Sequence, residues 1–590
     1  SDLLESYLYT SILRLEITKR SHSHNLTDNQ QILGEKMSKY ISQRYCTSSI
    51  DKTLRPLLIH GLKGIEKEGL RITQEGTISS APHPISLGAA LTHPHITTDY
   101  SEALLELITP AVSDENELAS YLIDLHKYVC TNIGDELMLS ASMPVGDLHN
   151  MAIPIATYGS SNAGKMKHIY REGLSHRYGR CMQVIAGIHF NYSPPEAFWP
   201  GYQQLMGDNG NLQSFKTNAY MGMIRNMQRY GWLILFLFGS SPAVSKSFID
   251  NRNSDYIGTF EKFLKTTYYK PYATSLRMSE IGYVNPVQRM FHISFNSIED
   301  YISDLHKATS IPYLDYERVG VKVRGQYRQL STSFLQIENE HYTSVRPKQP
   351  TISNERPIQA LKCKGIQYVE LRSLDIDIFE PTGIAIETIR FLEAFNLFCL
   401  LQESPRHDKK QLEEINQNVL LVANQGRAPS LKLFNNEQEI FLQYWALELC
   451  QEMQPVCEML DNGDNNHPYT KALQKQIEAI RYPAQTASAR MLSTMHDQKL
   501  SITELVLQKS QEYTQYFKHT ALNDSTRKQF DWQAQESIRK YEQLNNTDQI
   551  PFDEYLSNYF TGGVAAGGTR PPDKSVCREQ SYIQMNSKQS

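Results

Sequence analysis

Four segments of this chain alternate between apolar and polar residues with a period of two, and that pattern constrains the fold more than any other feature. In Gly64-Ile-Glu-Lys-Glu-Gly-Leu-Arg-Ile72 the carboxylates of Glu66 and Glu68 project together, because side chains two apart along a strand share a face. Tyr368-Val-Glu-Leu-Arg372 sets Glu370 and Arg372 opposite Val369 and Leu371. Gly187-Ile-His-Phe-Asn191 sets His189 and Asn191 opposite Ile188 and Phe190. Phe334-Leu-Gln-Ile-Glu-Asn-Glu340 carries Gln336, Glu338 and Glu340 on one face. An ordinary solvent-facing sheet mixes Lys, Thr and Ser into its polar side. Faces built mainly from Glu, His, Asn and Arg point to a polar cleft that holds cations and an anionic ligand.

Around these segments, residues 56–373 read as short β-type runs interrupted by helical patterns at 115–134 and 219–231. Beyond about residue 381 apolar residues recur at helical spacing, as over 386–401, 437–460 and 502–517. The expected organisation is an N-terminal extension over 1–55, a catalytic α+β body over 56–400, and a helical C-terminal part of the same unit over 401–560. The Gly-rich tail over 561–590 reads as disordered. With 59 Lys+Arg against 64 Asp+Glu the formal charge is −5, too near neutral for a protein that coats nucleic acid. The longest apolar run, 232–238, is far below the ~20 residues of a membrane-spanning helix, so no membrane is expected as a partner. No signal-peptide pattern opens the sequence, and eight scattered cysteines without a CxxC pair form neither a zinc site nor a disulfide framework. The expected compartment is the cytoplasm.

A further acidic set, Asp99, Glu102 and Glu106, falls at the spacing of one helical face, with Glu106 inside an apolar stretch. Glu102 is expected to be solvated there, leaving Asp99 and Glu106 as candidates. Oxygen ligands with at most one His favour a hard ion, Mg²⁺ or Mn²⁺, over zinc. Hard ions set among arginines point to phosphoryl chemistry, where metals bridge phosphates and cations neutralise the transition state. Cations for that purpose stand in Val345-Arg-Pro-Lys348 and Ser275-Leu-Arg277. Gly159-Ser-Ser-Asn-Ala-Gly-Lys165 imitates a P-loop, but Met166 replaces the Ser or Thr that would meet Mg²⁺. Kinase, dinucleotide-binding and GxSxG signatures are missing from the sequence.

Further motifs come in a fixed order: Leu91-Thr-His93 with Ile96-Thr-Thr-Asp99, Ala103-Leu-Leu-Glu106 with Ile108-Thr-Pro110, Tyr158-Gly-Ser-Ser-Asn162 and Pro271-Tyr-Ala-Thr-Ser-Leu-Arg277. Gly282-Tyr283, Arg346-Pro-Lys348, Glu370-Leu-Arg-Ser-Leu-Asp375 and Ser488-Ala-Arg490 follow. With the strands above, this set closely resembles bacterial glutamate–cysteine ligase (γ-glutamylcysteine synthetase) of the proteobacterial type, from about residue 60 to about 495. The resemblance implies an α+β fold similar to glutamine synthetase: a curved, mainly antiparallel sheet with surrounding helices and a helical C-terminal part. It implies ATP-dependent joining of L-glutamate to L-cysteine through a γ-glutamyl phosphate, the first step of glutathione biosynthesis. The sequence does not give the oligomeric state, and a monomer is the favoured expectation. A paralogous ligase that joins glutamate to another amine is the alternative.

By the same resemblance, Glu66, Glu68, Asp99, Glu106, His189 and Glu370 are expected to ligate Mg²⁺ or Mn²⁺, with Glu338 as a secondary ligand. Arg346 is expected to neutralise the transferring phosphoryl group and Arg372 to hold the glutamate end or phosphate. Tyr158, Arg277, Tyr283 and Tyr316 are expected to form the cysteine pocket, the arginine pairing the substrate carboxylate. Gly69 stands where the family usually has Thr or Ser, so a looser strand end is expected there.

Overall fold

The alternating segments pair as strands of one antiparallel sheet. Its strands are β1 (Leu62–Ile72), β2 (Ile96–Thr98), β3 (Leu104–Ile108), β4 (Leu137–Met138), β5 (Ile188–Ser193), β6 (Val345–Lys348) and β7 (Tyr368–Leu374). They lie in the order β6-β7-β5-β1-β3-β2, with β4 against the end of β1, and each pairing is antiparallel. This computed structural model describes residues 50, 53–146, 148–149, 152–251, 258–283, 287, 290–351, 355–547 and 550–561. Most of the expected N-terminal extension, and all but one residue of the expected tail, lie outside the described residues. The sheet and its helices belong to one compact unit, Arg44–Ser590.

Register puts the charged residues on one face. Glu66 is directly opposite His189, Glu68 opposite Glu106, and Glu370 opposite both Asn191 and Arg346. Directly paired residues share a side in an antiparallel ladder, so β6, β7, β5, β1 and β3 contribute to a single polar surface. The alternate positions Ile65, Leu105, Leu107, Ile188, Phe190, Val369 and Leu371 are buried on the other side. Gly69 pairs with Leu105, and the Met138 side chain fills the space where a Cβ would stand. The strand therefore stays in register at the position where a looser end was expected.

Helices surround the sheet on both sides. They include α1 (Glu115–Asn132), α2 (Asn162–Tyr178), α3 (Leu212–Tyr230), α4 (Trp232–Phe238), α5 (Ile386–Leu401) and α6 (Lys409–Gln425). In the C-terminal part follow α7 (Leu442–Asp461), α8 (Pro468–Arg481), α9 (Ile502–His519) and α10 (Asp524–Thr547). Behind β3, Leu105 and Leu107 join Leu125 and Val129 of α1, Tyr513 and Phe517 of α9 and Phe530 of α10 in one core. Burying a large apolar side chain stabilises by ~1.5–3 kcal/mol, so elements from both ends of the chain hold this region together. Two charged residues also lie on the apolar side. Lys63 is paired with Glu393 of α5 at 2.8 Å, both side chains fully buried, and Lys67 Nζ meets His126 Nε2 at 2.8 Å.

Three expectations about local structure are corrected. The segment carrying Asp99, Glu102 and Glu106 is strand–turn–strand rather than one helical face, because β2 and β3 pair as a hairpin. Glu102 lies at its turn and accepts backbone N–H groups of His83 (3.0 Å) and Thr157 (2.8 Å), so its carboxylate tethers neighbouring loops. The 334–340 segment is not a strand: it ends in a 3₁₀ turn, Glu338–Glu340, whose buried carboxylates each find an arginine. Glu338 pairs with Arg356 at 2.7 Å and Glu340 with Arg177 at 2.8 Å. Finally, the helical pattern over 437–460 begins only at Leu442, after a hairpin of Lys432–Asn435 with Gln438–Phe441.

Candidate active site

On the polar face the acids converge on one histidine. His189 Nδ1 donates to Glu66 Oε2 at 3.1 Å and stands 3.8 Å from Glu370 Oε1, while its Nε2 stands 3.8 Å from Glu68 Oε1. Asn191 Nδ2 donates to Glu66 Oε1 at 2.9 Å, and the Gly187 N–H donates to Glu68 Oε2 at 2.6 Å. Glu66, His189 and Glu370 each offer a ligand atom, and these atoms lie within 4.8 Å of one another. Burial and then Arg372 push His189 down, which favours a neutral imidazole with a lone pair to give.

Electrostatics divide the face into two halves. Burial pushes Glu106 well above the usual carboxylate range, and the charges of Glu66, Asp99, Glu68 and Glu370 push it further. Glu68 is raised to about 8 by burial and Asp99, against the pull of Arg277 and Arg372. Around β6 and β7 the balance reverses. Burial alone would raise Glu370, yet Lys348 at 2.9 Å and Arg372 at 3.0 Å, with His189 and Arg346, hold it well below. For Glu66 too, burial and Glu370 push upward, and the His189 hydrogen bond and Lys348 prevail. Arg346 is lowered by burial and by its neighbour Arg372. Its Nη2 donates to the Asn339 (2.8 Å) and His341 (2.5 Å) carbonyls, leaving Nε buried without a hydrogen-bond partner. One half of the face thus has surplus negative charge and the other crowded guanidinium groups. A cation relieves the first and a phosphate-like anion the second.

Beside this face opens a cavity of about 1190 Å³ whose walls include Glu68, His189, Arg277, Tyr283, Tyr342 and Arg372. Tyr158 and Tyr316 are not among its wall residues. Tyr158 is buried under Arg171 (4.7 Å from guanidinium to ring) and Lys167 (5.3 Å), and its hydroxyl donates to the Thr98 carbonyl at 3.0 Å. Tyr316 lies against the Arg177 guanidinium at 3.9 Å. Glu338, held by Arg356, is also separate from the sheet face.

Lys167 and Arg171 of α2 were not singled out by the sequence pattern. Arg171 donates from Nε to the Asp99 carbonyl and from Nη2 to that of Thr98 (3.5 Å), which fixes the backbone presenting Asp99. Burial and Arg171 push Lys167 down to about 8, against the attraction of Glu106 and Asp99. The signal available was their i, i+4 spacing on a helix that follows an otherwise unexplained Gly-Ser-Ser-Asn turn. At that turn Asn545 of α10 accepts the backbone N–H groups of Ser160 (3.1 Å) and Ser161 (2.8 Å). A P-loop would offer these donors to phosphate; here a side-chain carbonyl takes them.

Comparison with known proteins points the same way. The glutamate–cysteine ligase family model matches residues 48–422. A glutamate–cysteine ligase of Alcanivorax borkumensis is 43% identical over 503 residues, 84% of this chain and 95% of the relative. One from Pseudomonas putida is 42% identical over 504 residues, covering 85% and 95%. The crystal structure of glutamate–cysteine ligase from Francisella tularensis in complex with AMP superimposes with a TM-score of 0.80 at 35% identity, covering 85% of this chain and 98% of that one. A bifunctional glutathione synthetase from Pasteurella multocida shares the fold, with a TM-score of 0.62 at 24% identity over 79% of this chain and 54% of its own.

Proposed function

Because the chain belongs to the glutamate–cysteine ligase family, we propose that its acid-rich sheet face holds the divalent cations of an ATP-dependent ligation and that the adjoining cavity takes the amino acids. The enzyme joins the γ-carboxylate of L-glutamate to the amine of L-cysteine, converting ATP to ADP and phosphate and giving γ-glutamylcysteine, the first step of glutathione biosynthesis. A carboxylate is a poor electrophile, so the γ-carboxylate is first phosphorylated, and the cysteine amine then displaces phosphate from the acyl phosphate.

The observation that carries the site reading is the surplus of carboxylates around Glu106 beside the Arg346–Arg372 pair. Five carboxylates (Glu66, Glu68, Asp99, Glu106 and Glu370) supply hard oxygen donors suited to Mg²⁺ or Mn²⁺, with His189 as one borderline nitrogen donor among them. Held there, such ions would offset the charge of the phosphates. Arg346 turns its unpartnered edge to the transferring phosphoryl group. Arg372 spans the boundary between acids and cavity and orients the glutamate γ-carboxylate or the phosphate. In the cavity Arg277 pairs the carboxylate of the acceptor amino acid and Tyr283 packs beside it. Tyr158 serves through the Asp99 backbone and Tyr316 through Arg177. We take the enzyme to act as a monomer. Among the described residues no helix is long and apolar enough to cross a membrane, and we place the reaction in the cytoplasm.

The test is ADP release with Mg-ATP and L-glutamate while L-cysteine, L-2-aminobutyrate and other amines are added in turn. Release that rises most with cysteine, together with a γ-glutamyl dipeptide, is the expected result. Turnover with an unrelated amine alone would reassign the acceptor.

A further inference from the structure

Asp375, one residue beyond β7, has no part in the chemistry described so far, yet its surroundings are built with unusual completeness. The carboxylate is buried, as are Ser240, Ser241, Ser275 and Arg277 around it. Oδ2 accepts the Ser240 N–H at 2.9 Å and the Ser241 hydroxyl at 2.6 Å, and Oδ1 accepts the Ser275 hydroxyl at 2.9 Å. The remaining neighbour is the Arg277 guanidinium, whose Nη1 stands 3.8 Å from Oδ1. Burial pushes the Asp375 carboxyl up, and the Arg277 charge and the three neutral donors pull against that push.

The distance matters. A carboxylate at 2.8 Å in fork geometry would occupy two guanidinium N–H groups. At 3.8 Å Asp375 supplies charge without consuming those donors. Arg277 is steadied by other means: Nη1 donates to Met278 Sδ at 3.3 Å, Nη2 donates to the Arg372 carbonyl at 2.9 Å, and its backbone N–H donates to the Ser241 hydroxyl at 3.3 Å, which leaves Nε–H and one N–H on each terminal nitrogen. The guanidinium also lies flat on Gly187, where a Cβ would stand 2.0 Å from Nη2. Any side chain at 187 would displace the arginine from the cavity wall. The Gly187 N–H in turn holds Glu68, so the seat of Arg277 and the acid face share one backbone unit.

We propose that Asp375, clasped by Ser240, Ser241 and Ser275, is the positioning residue that holds Arg277 with its free N–H groups turned to the acceptor's carboxylate, and so sets the enzyme's demand for a carboxylated acceptor. This rests on the reading of Arg277 given above.

The experiment compares wild type, Asp375→Asn and Arg277→Lys by steady-state kinetics, with L-cysteine and with cysteamine, which keeps amine and thiol but lacks the carboxylate. Asp375→Asn should raise the KM for cysteine about tenfold with kcat changed far less, the scale on which outer partners of a site act. The preference in kcat/KM for cysteine over cysteamine should fall by the same factor, and the KM for glutamate should hold. A merely structural role would lower both acceptors alike and overturn the proposal. If Arg277→Lys alters the cysteine KM while Asp375→Asn does not, the proposal fails and the Arg277 reading stands. If Arg277→Lys leaves the cysteine KM untouched, it is the Arg277 reading that fails. Should Asp375→Asn fold poorly, Ser275→Ala removes a single donor, and a fall in the same preference is required of it.

Discussion

Glu68 and Glu106 are directly paired across β1 and β3, and burial pushes both carboxyls above their ordinary range. Like charges directly opposite in a ladder weaken the sheet they belong to. The strands hold this pair because their other faces are buried, so the repulsion is stored where a cation can relieve it.

A divalent cation should therefore stabilise the metal-free protein. At about 100 times its Kd, Mg²⁺ should add about 2.7 kcal/mol, seen as a higher Tm in scanning calorimetry. Glu106→Gln should melt higher than wild type without metal and gain less from Mg²⁺. An equal Mg²⁺ response in both proteins would remove Glu106 from the site.

Arg346 carries the phosphoryl charge in our reading, and its effect belongs to the transition state. Arg346→Gln should lower kcat by about 10²–10³-fold, as loss of an electrostatic stabiliser does, with little change in the KM for cysteine. Arg346→Lys should recover only part, since an ammonium cannot keep both carbonyl contacts and still face the phosphate. A KM effect without a kcat effect argues for simple substrate binding.

The Lys63–Glu393 pair makes a prediction about stability alone. Lys63 also donates to the Ser113 carbonyl at 2.5 Å, and Glu393 accepts the Tyr469 hydroxyl of α8 at 2.6 Å. Lys63→Met strands a buried carboxylate and should cost about 3–5 kcal/mol. Adding Glu393→Leu to it should recover most of that loss in urea unfolding. A double variant no more stable than the single would assign the loss to packing.

Glu448 of α7 gives the pH dependence. Burial raises its carboxyl to about 7, above the 4.5 of an exposed glutamate. Between these values the folded state binds more protons than the unfolded one, so stability from this group is present below about pH 4.5 and is lost as pH rises through 7. Glu448→Gln should thus raise the Tm at pH 8 and leave it nearly unchanged at pH 4. A shift of equal size at both values would exclude titration as the cause.

Period-two alternation made the acid face legible, since Glu66, Glu68, His189, Glu370 and Arg372 owe their shared side to strand geometry alone. The hairpin of β2 and β3 was not legible, because Asp99, Glu102 and Glu106 fit a helical spacing equally well and only pairing with β1 decides between them. Over 334–340 alternation misled for a different reason. There Arg356 and Arg177 neutralise buried glutamates one at a time, and a sequence of alternating polarity does not reveal partners that come from elsewhere. Asp375 closes a motif without showing its role there: its meaning lies in three serines and an arginine 98 to 135 positions away.

The core behind β3 also sets a timetable for synthesis. Leu107 emerges from the ribosome long before Phe530, with 423 positions between them. At roughly 5–20 residues per second, the distant half of the cover arrives roughly 20–85 s after the strand that needs it. For that interval the apolar surface behind β3 lacks the cover that α9 and α10 bring, and chaperones have a defined window in which to guard it.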